Sequence, residues 1–197
     1  LLKESLEVLR DEGTVKLDAT PAGREIYLKL DFIDEYVLSR MLCRAVAGDK
    51  LSGSDARPVQ AGDLSRILEF DREVFGADRR TVLEWNWNGS PYFAYLTEEN
   101  NCITGYCFGR HGNNYIHIGP VIAGDITQAM QVVNAALQHG VGQPVIIDST
   151  HHTPAWLEWL SSLGFVEQRP FIRMFRGSNV WPGVPEKQFA ILGPEFG

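Results

Sequence analysis

The chain has 197 residues, 44% hydrophobic and 22% charged, with a formal net charge of -7, enough for one large domain, or one and a fraction, around a sizeable core. No run of Lys or Arg forms a stripe that could neutralise a phosphate backbone, which argues against nucleic acid as a partner. Cys43, Cys102 and Cys107 lack CxxC or Cys/His ligand spacing, so neither a disulfide framework nor a metal site is implied, and the short, interrupted apolar runs argue against membrane insertion. A cytoplasmic location is expected.

The opening "LLKESLEVLRDEG" has no initiator Met, and a piece of a longer protein or a processed chain is expected. Leu2, Leu6 and Leu9 recur at helical spacing and predict a helix over 1–12, with Gly13 as a left-handed C-cap. Thr14 to Asp18 reads as a short strand. Thr20 followed by Pro21 is a helix start, the hydroxyl capping and the ring pre-set for the first helical position; that helix runs to about Leu30. Phe32 to Ala47 is apolar strand material, and "GDKLSGSD" (48–55) reads as a linker.

After the linker, "ARPVQ" is a short strand, and Asp63 is expected to cap a helix that Gly76 ends. Asp78 caps a further helix over "RRTVLEWNW". Then "YFAYL", "CITGYCFG" and "YIHIGPVIA" predict an antiparallel meander. Asp125 caps a helix closed by His139-Gly140, and "PVIID" is a strand buried on both faces. Thr153-Pro154 opens a helix that Gly164 ends, Phe165 begins the last strands, and "FAILG" is a terminal strand.

Two stretches repeat one phrase. Pro21 to Phe32 and Pro154 to Phe165 each span 11 positions, and Phe32 to Arg40 and Phe165 to Arg173 each span 8. The pairs Asp18/Asp148, Ala22/Ala155, Leu30/Leu163 and Met41/Met174 agree, while His151, His152 and Thr153 are extra in the second copy. Two units of one fold in tandem are expected: the back half of a first over 1–47, and a second over 56–197.

The element order, the strand "ITGYCFG" and the ending "helix, Leu-Gly-Phe, strand" resemble the GNAT (GCN5-related N-acetyltransferase) superfamily, most of all its tandem-domain members with a divergent C-terminal unit. "PAGREIYLKLDF" is similar to the family's A-x-x-L-Y-x-x-x-G-F signature. The resemblance implies an α/β fold: a mixed, mostly antiparallel sheet with helices on both faces and a cleft where two parallel strands splay apart. It also implies an enzyme that moves an acetyl group from acetyl-CoA to a small-molecule or peptide amine, without a metal, with a homodimer as the assembly to look for.

Carried over, the family's proton donor is Tyr27, whose phenol can protonate a departing thiolate; burial of a core tyrosine explains it nearly as well. The second copy has Leu160 there, which carries no proton. The resemblance places cofactor contacts at Thr20 and at Val121, Ile122, Ala123, Gly124, Ile126 and Thr127. Pro120 lacks an N–H, so pairing should be lost at Gly119-Pro120, and the following turn offers free N–H groups to a pyrophosphate. That turn departs from the family pattern: it has one glycine, no nearby Arg or Lys, and Asp125 where a phosphate would sit.

For the acceptor, Asp148, His151, His152 and Trp85 are candidates. Asx capping explains Asp148 equally well, a surface loop explains the histidines, and core packing explains Trp85. Two weaker candidates for a proton donor in the second unit are Tyr106 and His117. The competing readings are transfer in the first unit with the second shaping the acceptor site, a working site in the second unit, or a second unit that only binds a metabolite or partner.

Overall fold

The computed structural model describes residues 2–196, so Leu1 of the first expected helix lies outside the described residues. The elements are α1 (Leu2–Val8), β1 (Thr14–Ala19), α2 (Pro21–Leu28), β2 (Ile33–Cys43), β3 (Arg57–Pro58), α3 (Leu64–Phe75), α4 (Arg80–Gly89) and β4 (Tyr95–Glu99). There follow β5 (Cys102–His111), β6 (Ile116–Ala123), α5 (Ile126–Leu137), β7 (Val145–Thr150), α6 (Pro154–Ser162), β8 (Val166–Gly177) and β9 (Gln188–Ala190). All nine strands join one sheet in the order β1-β8-β2-β7-β9-β6-β5-β4-β3. Only β6 and β7 run parallel among these strands.

Alternation along β5 shows how helices cover both faces. Cys107 enters a cluster with Val132 of α5 and Trp156 and Leu160 of α6. Its neighbours Tyr106 and Phe108 enter another, with Ile67 of α3 and Leu83 of α4. Successive residues of a strand point to opposite faces, so the two helix pairs lie on opposite sides of the sheet. Trp156 and Leu160 are both fully buried, each contributing roughly 1.5–3 kcal/mol.

The β1-β8-β2-β7 block follows the repeated phrase. Asp18 of β1 lies opposite Arg173 of β8, and Arg40 of β2 lies opposite Asp148 of β7. Each aspartate of the phrase therefore faces the arginine of the other stretch, and Leu38 pairs with Phe171, its own counterpart. The register of β2 against β8 also steps over Glu35 on one strand and, at the matching place, over Gln168 on the other. Such bulges re-aim side chains. Both ion pairs are bidentate, at 2.6 and 2.9 Å for Arg173–Asp18 and 2.8 Å twice for Arg40–Asp148.

Several local expectations are corrected. The first helix ends at Val8 rather than near residue 12, and its chain leaves through turns (Arg10 N–H to Glu7 C=O, Glu12 N–H to Leu9 C=O), so Gly13 needs no left-handed conformation. Strand β2 stops at Cys43. Asp63 does not cap α3: its carboxylate accepts from the Gln60 N–H of a preceding 3-10 turn and from Arg57. Segment 48–55 is pinned to the α5 and α6 side, Ser54 Oγ donating to Gln131 C=O and Lys50 Nζ to Ser162 C=O. No helix among the described residues is long and apolar enough to cross a membrane.

Candidate active site

The splay is where the sequence places it. Parallel pairing of β6 with β7 is confined to Ile116↔Val145 and His117↔Ile146, and ends before Gly119-Pro120, where the chain lacks a donor. The opening is filled by the chain's own β9. Val121 and Ile122 pair with Cys107 and Tyr106 of β5 on one side and with Ala190 and Gln188 of β9 on the other. Ser149 of β7 pairs with Ala190, and the Ile191 N–H donates to the Asp148 carbonyl at 2.9 Å. Phe189 to Leu192 are all buried. Gly119 is required by this approach, because a Cβ there would lie 2.2 Å from the Ile191 carbonyl oxygen.

The expected cofactor residues on this side thus sit in a closed ladder. Val121, Ile122 and Ala123 are wholly buried. Gly124 and Thr127 are exposed, and Ile126 packs half-buried on the core. The N-terminus of α5 is already capped, the Gln128 N–H donating to the Asp125 carboxylate at 3.0 Å. The hollow beside it is lined by Asp55, Glu98 and Glu99; Glu98 is held by Arg57 and Arg66, and no cation lines the hollow itself, a setting that offers a pyrophosphate no counter-charge. The residues here do not fit acyl-CoA.

The other end of the sheet differs. Thr20 caps α2, its Oγ1 accepting from the Gly23 N–H at 3.1 Å. Tyr27 is half-buried, edge-on to Phe32 at 5.7 Å, and among the described residues its hydroxyl has no hydrogen-bond partner. Strand β1 pairs on one side only, with β8. The matching Leu160 of α6 is fully buried in the core.

Between these ends lies a row of charge. Asp148 is fully buried and held by Arg40; burial opposes its ionisation, but His117 and Arg40 outweigh it and set the carboxyl at about 2. His117 Nε2 lies 3.0 Å from Asp148 Oδ2, a close contact that is an ion pair only when the imidazole is protonated. Burial keeps His117 below its usual range against that carboxylate. Asp148 is therefore spoken for by its own neighbours. Burial likewise raises the Asp18 carboxyl, working against Arg173.

Of the expected acceptor residues, His151 contacts Ser39 Oγ at 2.9 Å, and His152 lies edge-on to Tyr36 with ring centroids 4.8 Å apart. Burial lowers the pKa of both. Trp85 is exposed and tilted against Phe196 at 5.6 Å. Tyr106 is sealed in, its hydroxyl donating to Asp71, which also accepts from Arg79. Sequence reasoning missed Arg40, Arg173, Lys16 and Glu35. The recurrence of Arg at the same place in both phrases was the available signal for the first two.

A family model described as an acetyltransferase (GNAT) domain matches residues 67–190. The holothin acyltransferase of Pseudoalteromonas sp. (strain SANK 73390) is 24% identical over 189 residues, covering 95% of this chain and 63% of the relative. A solved structure from Pyrococcus horikoshii, described as an acetyltransferase, superposes with a TM-score of 0.75 at 26% identity, over 98% of this chain and 63% of that one. The GCN5-related N-acetyltransferase from Sphaerobacter thermophilus gives 0.59 at 16% identity, over 91% and 66%, a likeness of fold alone. The chain thus spans 63% of the length of the first two.

Proposed function

The chain belongs to the GNAT acetyltransferase family, and from that premise we propose that it is part of an acyl-CoA-dependent N-acyltransferase, moving an acetyl group from acetyl-CoA to an amine. Transfer takes place in the unit to which residues 1–47 contribute the back half, and the unit over 56–197 shapes the acceptor site. The observation that carries this is β9 in the splay of the second unit: a strand already hydrogen-bonded to β6 holds the place that a cofactor arm would need. The single-sided pairing of β1 and the unengaged Tyr27 hydroxyl support the same reading.

In the reaction, the acceptor amine attacks the thioester carbonyl, the C–N bond forms, and the C–S bond breaks. Tyr27 gives its proton to the departing thiolate, and the amine's surplus proton passes to solvent or a neighbouring base. The acidic hollow by α5 argues against the rival, a working cofactor site in the second unit. The test is calorimetric titration of acetyl-CoA into this 197-residue chain and into the full-length protein. Binding by the longer protein alone is expected. Binding by this chain that a bulky substitution at Gly124 abolishes overturns the assignment.

A further inference from the structure

A cavity of about 450 Å³ opens beside β1, β2 and β8, with Gln188 at the start of β9 and the segment after it closing one side, within the range of small-molecule sites. Its walls include the rings of Tyr36, Phe75, Trp181 and Phe196. Trp181 is 62% exposed and Phe196 is 38% exposed, so two of these rings stand at the surface around the opening. Aromatic side chains left in water at a concave site serve planar ligands and cations better than they serve the core.

The charged wall carries Lys16, Arg173 and Glu195, the last two already engaged by Asp18 and Arg110. Lys16, which lines the cavity, places its ammonium 2.9 Å from Glu35 Oε1 and 3.5 Å from the Trp181 carbonyl oxygen. Glu35 is the residue that the β2 register steps over, its side chain only 11% exposed. Asn179 donates to the same Oε1 at 2.9 Å. Two buried acceptors around this point have no partner: Glu35 Oε2 and Asn179 Oδ1. Unfilled buried acceptors demand donors. A primary ammonium carries three, and the chain's own lysine, on a flexible stem, already shows how one is held.

We propose that this cavity binds a small molecule bearing a primary ammonium on a planar aromatic or heteroaromatic body, the ammonium displacing Lys16 from Glu35 and the ring lying among Tyr36, Trp181 and Phe196. Resting on the reading above, this molecule is the acyl acceptor. Its ammonium is held here in the binding step and gives one proton to bulk water before the neutral amine attacks.

Binding can be measured on this chain without acyl-CoA, so failure here leaves the acyltransfer reading standing, and failure of the acetyl-CoA titration leaves this site standing. The probes are tryptamine, n-butylamine and indole-3-propionate, each titrated calorimetrically. Tryptamine should bind about tenfold or more tighter than n-butylamine, and indole-3-propionate should not bind. Lys16→Met, which removes the resident ammonium, should tighten tryptamine by about tenfold, and Glu35→Gln should weaken it by at least about tenfold. A merely structural Lys16–Glu35 pair would move thermal stability in both variants and leave affinity alone. Should Glu35→Gln fail to fold, Trp181→Ala, at an exposed position, should abolish the preference for tryptamine over n-butylamine. No binding of tryptamine, equal binding of the three probes, or an affinity indifferent to these substitutions overturns the proposal.

Discussion

Removing Arg173 should be among the most damaging single changes in the protein. Its guanidinium is 2% exposed and grips a fully buried Asp18 through two hydrogen bonds. Arg173→Met keeps most of the apolar stem but strands the carboxylate, and breaking a buried pair from one side costs about 3–5 kcal/mol. For a domain of this size that corresponds to a fall in Tm of about 6–20 °C. Arg40→Met is the internal control. Arg40 is 18% exposed, and its partner Asp148 keeps His117 at 3.0 Å, so it should cost less, by about 1–2 kcal/mol. The double variant Asp18→Leu/Arg173→Met should recover to within about 1 kcal/mol of the parent, because two apolar groups leave no charge behind. Urea unfolding followed by circular dichroism measures all three. A loss under about 1 kcal/mol for Arg173→Met, or a double variant no better than the single, would refute the argument that a stranded charge sets the cost.

Other consequences are as direct. Asp148, lowered from 3.8 to about 2, contributes about 2 kcal/mol that is fully present above pH 4 and lost as pH falls towards 2; Asp148→Asn should flatten that limb of an acid-unfolding curve. Tyr27→Phe in the full-length protein should lower kcat by about 10²- to 10⁴-fold with little change in KM, and an unchanged kcat removes Tyr27 from the chemistry. Gly119→Ala drives a Cβ against the Ile191 carbonyl, so β9 should leave the splay and residues 188–196 should become protease-sensitive; protection equal to the parent contradicts the closure. Trp156→Ala deletes a fully buried ring whose Nε1 donates to Ser149 Oγ at 2.9 Å, and should cost about 3–5 kcal/mol in the same urea experiment.

The fold was legible wherever one local rule acted alone. Thr20-Pro21, Asp78 and Asp125 mark helix starts because side-chain oxygens there meet unpaired N–H groups. Pro120 marks the end of pairing because it has no donor. Asp63 misled because its neighbour Arg57 competes for the same carboxylate, a contact between residues six apart that propensity does not weigh. The partners of strands were beyond local reading: "FAILG" reads as a terminal strand, yet nothing in five residues says that it enters the splay. The site divides the same way. Tyr27 and Leu160 are separated by chemistry visible in a line of text, whereas the Lys16–Glu35 contact joins β1 to a bulge in β2 and a loop near Asn179, and exists only once β8 lies between them.

The placement of β2 between β7 and β8 also sets a timetable for synthesis. Its last residue, Cys43, leaves the ribosome well before Val145 and Val166, where its two partners begin. At about 5–20 residues per second the second partner starts roughly 6–25 s later. Through that interval an eleven-residue strand lacks the two neighbours it has in the sheet, and an unpaired edge is a template for pairing with the wrong chain. Asp34, Glu35 and Arg40 interrupt it with charge, as strand edges under such exposure require. In the folded chain the same charges are taken up, Asp34 by Arg24, Glu35 by Lys16 and Arg40 by Asp148.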